Sequence, residues 1–312
     1  MTTEHPRPLP PTLEAVAAAS GVSRSTVSRV VNGSTKVSAE VLERVNSAIA
    51  ELHYVPNRVA RSLANRQTMA IALVVPEETT RFFGDPYFAS MVDGITRALE
   101  PSDYVLNLQF ASPSGPSDKT LRYLLGGNVD GALVISHHSG NHFLASIGET
   151  LPVVFGGRPL TPEGESYYVD VDNAAAAAKG TQFLIDQGRQ RIATITGSPD
   201  MPAGIDRESG WRRAMEGAGL RTDLIAHGDF SMASGARCMR ALLDRAPGLD
   251  AVFIASDLMA TGAVSVLRER GRAIPTDVAV VGFDDSPAAI GGEVDLTTVF
   301  QPSVEMGEQR RD

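Results

Sequence analysis

Apolar residues recur at helical spacing from Leu13 onward, and the pattern is broken twice before residue 56. Leu13, Val16 and Ala17 stand at i, i+3 and i+4 behind Thr12, whose hydroxyl can cap the first turn. Ser20-Gly21-Val22 interrupts the period, and Gly21 offers the positive φ that a tight helix–helix turn demands. Ser23 caps a second short helix with Val27, Val30 and Val31 on its inner face. Ser38 caps a third, with Val41, Val45, Ile49 and Leu52 at core spacing. The pattern predicts a miniature three-helix domain over residues 12–56, about the smallest core that folds alone.

From Ala70 the period changes. Apolar runs predict strands at 71–76, 104–111, 131–136, 152–157, 192–196, 251–256 and 278–283. Amphipathic helices fall between them: one carries Met91, Val92, Ile95 and Leu99, one starts at Asn173, one surrounds Trp211 and one starts at Leu258. Such alternation predicts an α/β body of parallel sheets covered on both faces. The glycine- and proline-rich stretch near 157–166 reads as a crossover between two lobes, 69–157 with 297–312, and 158–296. Between head and body, Pro56 ends one element and Asn57 can cap a two-turn hinge helix within 57–68. A helix that short is barely stable alone because nucleation is costly, so it is expected to form only against a partner surface. Residues 1–11 hold four prolines and read as a disordered arm.

Composition narrows the setting. Hydrophobic residues make up 43% of 312, which is globular. No apolar run approaches the roughly eighteen residues of a membrane span, and the start lacks the apolar core of a secretory signal. The expected location is therefore the cytoplasm. The single Cys238 excludes an internal disulfide framework or a cysteine-based zinc cluster. A net charge of −9 argues against nucleic acid until its distribution is read. Residues 1–66 hold eight Lys/Arg against five Glu, which leaves −12 on the remainder. A basic head on an acidic body suits a DNA reader whose body must not adhere to phosphates.

The chemistry sits on the second helix and at the strand ends. Arg24, Ser25, Ser28 and Arg29 share the helix's outer face, all donors and no carboxylate. Such a helix enters a major groove without repelling phosphates, and Arg can grip guanine O6 and N7 in a bidentate fork. Turn glycine, caps and that face together define a helix-turn-helix. One head reads too few base pairs to be selective, so two heads on a palindrome are expected. Basic residues around the lone Leu63 suggest that this leucine wedges into a minor-groove step. In the body, ligands of parallel sheets bind beyond the carboxyl ends of strands. Those ends read Gly156-Gly157-Arg158, Thr196-Gly197-Ser198, Ser256-Asp257 and Asp284-Asp285.

The segments TLEAVAAASGVSRSTVSRVVNG and YVPNRVARSLANRQT resemble the head and hinge of the LacI/GalR family of bacterial transcription regulators. The resemblance implies a dimer on a pseudo-palindromic operator, with Arg24, Ser25 and Arg29 facing bases. It sets Thr26, Asn32, Ser38 and Asn57 along phosphates and makes Leu63 the minor-groove lever. Thr12, Ser23, Ser28, Arg61 and Ala64 complete the expected DNA-facing set. For the body it implies a two-lobed, periplasmic-binding-protein-like architecture, with the Met91–Leu99 helix at the dimer surface. DRESGW matches a motif whose Arg, here Arg207, contacts the effector, and VVGFDD one in which Asp284 binds ligand hydroxyls. Ser256, Asp257 and Gln301 complete the expected effector set. Arg offers paired donors and a carboxylate accepts two hydroxyls, as a polyol requires. Ser256 stands where many members carry Asn, and Gly157 where a carboxylate is common, so no particular sugar carries over. The sequence ends at GEQRRD, short of the family's last helix and strand, and no heptad tail follows. A dimer rather than a tail-linked tetramer is expected.

Plainer readings compete at several positions. Asp257 equally suits a cap for the helix from Leu258, and Arg207 a structural ion pair. Trp211 suits a core, and His137-His138 a solvated loop rather than a metal pair. No GxSxG, Walker A, HExxH or GxGxxG occurs, so neither an enzyme nor a cofactor is expected. A secreted binding protein would not need Thr12–Asn32, and a nucleoid-type DNA binder would not need the body. The expectation is an operator-binding regulator, most simply a repressor, controlled by a sugar or glycoside. A nucleoside or other non-sugar metabolite is the alternative, and a binding protein without regulatory release a more remote one.

Overall fold

Residues 11–34, 36–55, 67–111, 115–160, 166–290 and 295–309 are described by the computed structural model of the chain. They fall into two units, Met1–Thr68 and Met69–Asp312. In the first, helices α1 (Leu13–Ser20), α2 (Arg24–Val31) and α3 (Ala39–Glu51) enclose Val16, Val27, Val30, Val45 and Ala48. The predicted period accounts for all of these except Ala48, and Tyr54, just beyond α3, closes the same core. Gly21 holds φ +64 at the end of α1, the left-handed conformation the turn required.

The second unit contains two five-stranded sheets, each parallel throughout. The first comprises β1 (Ala70–Val75), β2 (Val105–Phe110), β3 (Gly131–Ile135), β4 (Val153–Gly156) and β5 (Tyr167–Val169), in the order β2-β1-β3-β4-β5. The second comprises β6 (Ile192–Thr196), β7 (Ile225–His227), β8 (Ala251–Ile254), β9 (Ala279–Asp284) and β10 (Thr297–Phe300), in the order β10-β9-β8-β6-β7. Counted from its own first strand, each sheet has the order 2-1-3-4-5, which places a switch point beside β1 and β6. Central strands such as β6 and β8 are buried along their whole length, because helices cover both faces. The helices of the first lobe are α4 (Thr79–Gly84), α5 (Pro86–Leu99), α6 (Asp118–Leu125) and α7 (Phe143–Gly148). Those of the second are α8 (Asn173–Asp186), α9 (Pro202–Gly217), α10 (Met232–Arg245), α11 (Asp257–Glu269) and α12 (Pro287–Ile290). Trp211 is fully buried among Leu184, Met215 and Phe253, as its core reading expected.

Strand pairing shifts both predicted lobe boundaries. β5 pairs with β4, Phe155 opposite Tyr168, so the chain leaves the first sheet near Asp170 rather than within 157–166. β10 pairs with β9, Val299 opposite Phe283, so residues 297–300 belong to the second sheet and not the first lobe. The return follows Phe300, and α13 (Ser303–Glu308) then packs on α5. That contact needs glycine: a Cβ at Gly94 would run into the Val304 carbonyl. Edge strands of three or four half-exposed residues carry too little alternation to reveal their sheet.

Candidate DNA interface and interlobe cleft

The head presents its second helix as a polar ridge. Ser23 caps it by accepting the Thr26 amide at 3.2 Å, while Val27 and Val30 anchor the opposite face. Thr12 caps α1 in the same way through the Ala15 amide at 3.2 Å. Arg24, Ser25, Arg29 and Asn32 are exposed, and Thr26 and Ser28 half-buried. Asn32 reaches the Ser28 hydroxyl at 3.4 Å. Ser38 occupies the cap position of α3 in extended backbone, yet its side chain makes no capping bond, contrary to expectation. The carboxylate-free face also acquires a neighbour, since Glu14 of α1 pairs with Arg24 at 3.1 Å. Both side chains are more than half exposed, so the pair is weak and DNA phosphates can displace it. Asn57, Arg61, Leu63 and Ala64, and with them the expected hinge helix, lie outside the described residues, as do residues 1–10 of the expected arm.

In the second unit the carboxyl ends of both sheets face a cleft of about 670 Å³. At its centre is Arg207 of α9, only 4% exposed. Its guanidinium donates to Asn173 Oδ1 (2.9 Å), the Ala255 carbonyl (2.6 Å), Asp284 Oδ1 (3.3 Å) and Gln301 Oε1 (2.7 Å). It lies 3.6 Å from the Phe283 ring centroid, a cation–π contact in a dry setting. Asp284 ends β9 at φ +114, which the hydrogen bond from the Gln301 amide to its carbonyl helps to hold. Burial pushes its carboxyl up to about 8 against the pull of Arg207, and the nearby Asp85 and Asp257 add to the rise. Ser136 and Phe230, also lining the cleft, share left-handed backbone with Asp284. Strain of that kind gathers where a fold positions groups for a ligand.

The rest of the lining mixes surfaces. Phe88, Phe230, Met201 and Met306 supply apolar area; Asp85, Asp170, Asn173 and Ser136 supply polar atoms. Asp85 caps α5 through the Tyr87 amide at 3.0 Å, and burial raises its carboxyl above the ordinary range. Of the five expected effector residues, Arg207, Asp284, Ser256 and Gln301 line the cleft. Ser256 is also the cap of α11, accepting the Met259 amide at 3.2 Å, so the helix begins at Asp257 and not Leu258.

Asp257 itself stands apart from the cleft. It is fully buried, accepting from Thr298 Oγ1 (2.6 Å) and the Ser286 amide (2.9 Å), and so ties β10 and the 284–286 turn to α11. The histidine pair also departs from the solvated loop expected of it. His137 is 6% exposed and its Nε2 donates to the Arg158 carbonyl at 3.1 Å, with burial holding its pKa down. His138 bonds Glu77 and Asp200, each at 2.9 Å. Among the described residues no group of three or more His, Cys, Asp or Glu could hold a metal ion. Phe230, Asp170 and Asn173 escaped the sequence reading as cleft residues. Only the Asp85-Pro86 pair ahead of an apolar helix left a legible signal, that of a cap with proline at the first turn.

A helix-turn-helix joined to a two-sheet body, with a cleft of mixed polar and apolar lining at the strands' carboxyl ends, defines a DNA-binding regulator of the ligand-responsive kind. Comparison with known proteins agrees. The model for "Bacterial regulatory proteins, lacI family" matches residues 12–57, and that for "Periplasmic binding protein-like domain" matches 181–310. The HTH-type transcriptional regulator CelR of Thermobifida fusca is 47% identical over 303 residues, covering 96% of this chain and 89% of that protein. The ribose operon repressor of Escherichia coli strain K12 is 33% identical, covering 95% and 90%. Among solved structures, the CelR–cellobiose complex aligns with a TM-score of 0.73 at 46% identity, covering 96% of this chain and 90% of that one. The lac repressor dimer bound to operator and the anti-inducer ONPF aligns at 0.84 and 26%, with the same coverage. The chain belongs to the LacI family of bacterial transcription regulators, proteins that act by binding rather than catalysis.

Proposed function

We propose that this regulator is a cytoplasmic homodimeric repressor, released from a pseudo-palindromic operator by a carbohydrate of the cellobiose class. The observation that carries the effector reading is the Arg207 hub, which sets a guanidinium, the Asp284 carboxyl and the Gln301 amide in one cleft beside the Phe230 ring. Sugars need this mixture, because hydroxyls pair with donors and acceptors while ring C–H faces lie on aromatic surface. The 47% identity to CelR, and the 46% identity to the CelR structure solved with cellobiose, favour a short glucoside over a pentose. In this reading Arg207, Asp284, Ser256 and Gln301 contact the effector, joined by Phe230, Asn173 and Asp170. Arg24, Ser25 and Arg29 read bases; Thr12, Ser23, Thr26, Ser28, Asn32 and Ser38 follow the backbone.

Dimerisation through the first lobe is supported by its α5–β2 edge, where Val92, Leu99, Leu106 and Phe110 are only partly buried and Leu108 is exposed. A coupling of about 1–3 kcal/mol between cleft and head changes operator affinity 5- to 150-fold, enough for a switch. The test is a thermal-shift screen over cellobiose, longer glucosides, ribose and nucleosides, each hit retested for release of operator DNA. Cellobiose-class sugars should stabilise and release. A nucleoside that does both, with the sugars inert, would overturn the effector assignment.

A further inference from the structure

Beside the cleft, one side chain of the first lobe is held between two carboxylates, one from each lobe. His138 follows β3, and its Nε2 donates to Glu77 Oε1 while its Nδ1 donates to Asp200 Oδ2, both at 2.9 Å. Glu77 follows β1 in the first lobe; Asp200 precedes α9 in the second. With a carboxylate on each nitrogen, the ring satisfies both partners only as the doubly protonated cation. Glu77 is anchored from its own lobe by Arg81 (2.6 Å) and Ser136 (2.7 Å), and Asp200 from its own by Ser198 (2.6 Å). A backbone bond from the Ser139 amide to the Asp200 carbonyl, 2.9 Å, crosses at the same place. Arg81, Ser136, His137 and Met201, which flank these groups, line the cleft.

We propose that Glu77, His138 and Asp200 form a proton-operated clasp between the lobes, closed while His138 carries both protons and loosened when it gives one up. The proposal rests on the effector reading only in that the clasp borders the cleft through which an effector passes. Burial works against the charged ring, but the bonds and charges of Glu77 and Asp200 outweigh it and raise the His138 pKa. The clasp's contribution is therefore complete below the ordinary histidine value of about 6.5 and lost as pH rises through the raised one. Burial likewise opposes ionisation of Glu77 and Asp200, yet their partners hold both below the usual carboxylate range, so they stay charged throughout. Arg81 and His137 face the trio as well, and Asp85, its carboxyl raised chiefly by burial, acts on it through the Glu77 charge. Another interlobe ion pair joins Arg158 to Asp206 at 3.0 Å and is present alike in all the variants compared below. Asp284 does titrate there, facing Asp85 across the cleft, so the clasp is read as a difference between variants at each pH.

The Ser139 amide is the reporter, since its partner lies on the opposite lobe. Hydrogen exchange at Ser139 is followed in the full-length protein without effector, between about pH 6 and 8.5. Wild type should lose about two- to fivefold in protection factor across that range, as expected for one partly exposed ion pair. His138→Gln and Asp200→Asn should lose distinctly less, starting from lower protection at pH 6. Constant wild-type protection, or an equal loss in both variants, would overturn the clasp. A parallel titration with cellobiose separates the two claims: no binding at either pH removes the sugar reading and leaves the Ser139 result to decide the clasp.

Discussion

In the head, the outward groups of α2 lie within eight consecutive residues, whereas the Arg207 hub joins partners 34, 48, 77 and 94 positions away. The first arrangement is a surface: its residues share a face because a helix repeats every 3.6 residues, and removing one leaves the fold intact. The second is a junction: its residues meet because two sheets end at one place, and each is also part of what holds that place together. The two regions should therefore answer mutation differently. Changes on α2 should cost recognition alone, while changes at the hub should cost stability and effector response together.

The largest effect is expected from Arg207→Ala. It leaves the Asp284, Asn173 and Gln301 oxygens without their common donor, and each stranded acceptor costs about 1–3 kcal/mol. Urea unfolding of the body should show this, while Arg29→Ala should leave the midpoint within about 0.5 kcal/mol of wild type. Equal midpoints for the two variants would erase the distinction between surface and junction.

The junction should also make the body sensitive to pH. Asp284 has its carboxyl raised to about 8 in the fold. A raised acid contributes stability that is complete below its unfolded value, about 3.9, and is lost as pH climbs towards the folded one. Stability should thus decline between about pH 4 and 8 by on the order of a few kcal/mol, and Asp284→Asn should flatten that slope. Denaturant midpoints across this range measure it, and a slope unchanged in Asp284→Asn would assign the titration to another group.

On the surface, Arg29→Ala should cost about 1–3 kcal/mol at the preferred operator and blur discrimination at one base pair. Binding titrations against single-base operator variants would reveal it, and unaltered discrimination would remove Arg29 from the reading face. Smaller still is the contrast between caps. Ser23→Ala should destabilise the head by about 1 kcal/mol, because it removes the hydroxyl that caps the first turn of α2. Ser38→Ala should change it by no more than about 0.5 kcal/mol, since that hydroxyl caps nothing in the free head. Thermal melts of the two variants compare them directly.

How far each region could be read beforehand follows from the same difference. Apolar spacing placed Val16, Val27, Val30 and Val45 in the head core, and caps at Thr12 and Ser23, because those bonds span three or four residues. It missed the Glu14–Arg24 pair, which depends on how two helices cross. In the body, apolar runs located the central strands, but β5 and β10 were misassigned because pairing across a sheet is not written in a three- or four-residue segment. Motif resemblance named Arg207, Asp284, Ser256 and Gln301, which line the cleft, and also Asp257, whose carboxylate lies off the lining and bonds Thr298 and Ser286. Phe230 left no signal at all: its place depends on a left-handed backbone and on Gly197, where a Cβ would collide with the ring. The histidines read as a solvated pair because the carboxylates that hold His138 lie about sixty residues to either side.

In the proposed switch, the cleft acts through Asp284 to decide whether the head stays on its operator. The direct measurement is fluorescence anisotropy of labelled operator with wild type and Asp284→Asn, titrated with cellobiose or whichever sugar the thermal screen selects. Wild type should release the operator. At about pH 9, where the Asp284 carboxyl is ionised, Asp284→Asn should bind it equally well without sugar, yet need about tenfold more sugar for release, as loss of one charge-assisted bond implies. Release of both proteins at the same sugar concentration would contradict the claim.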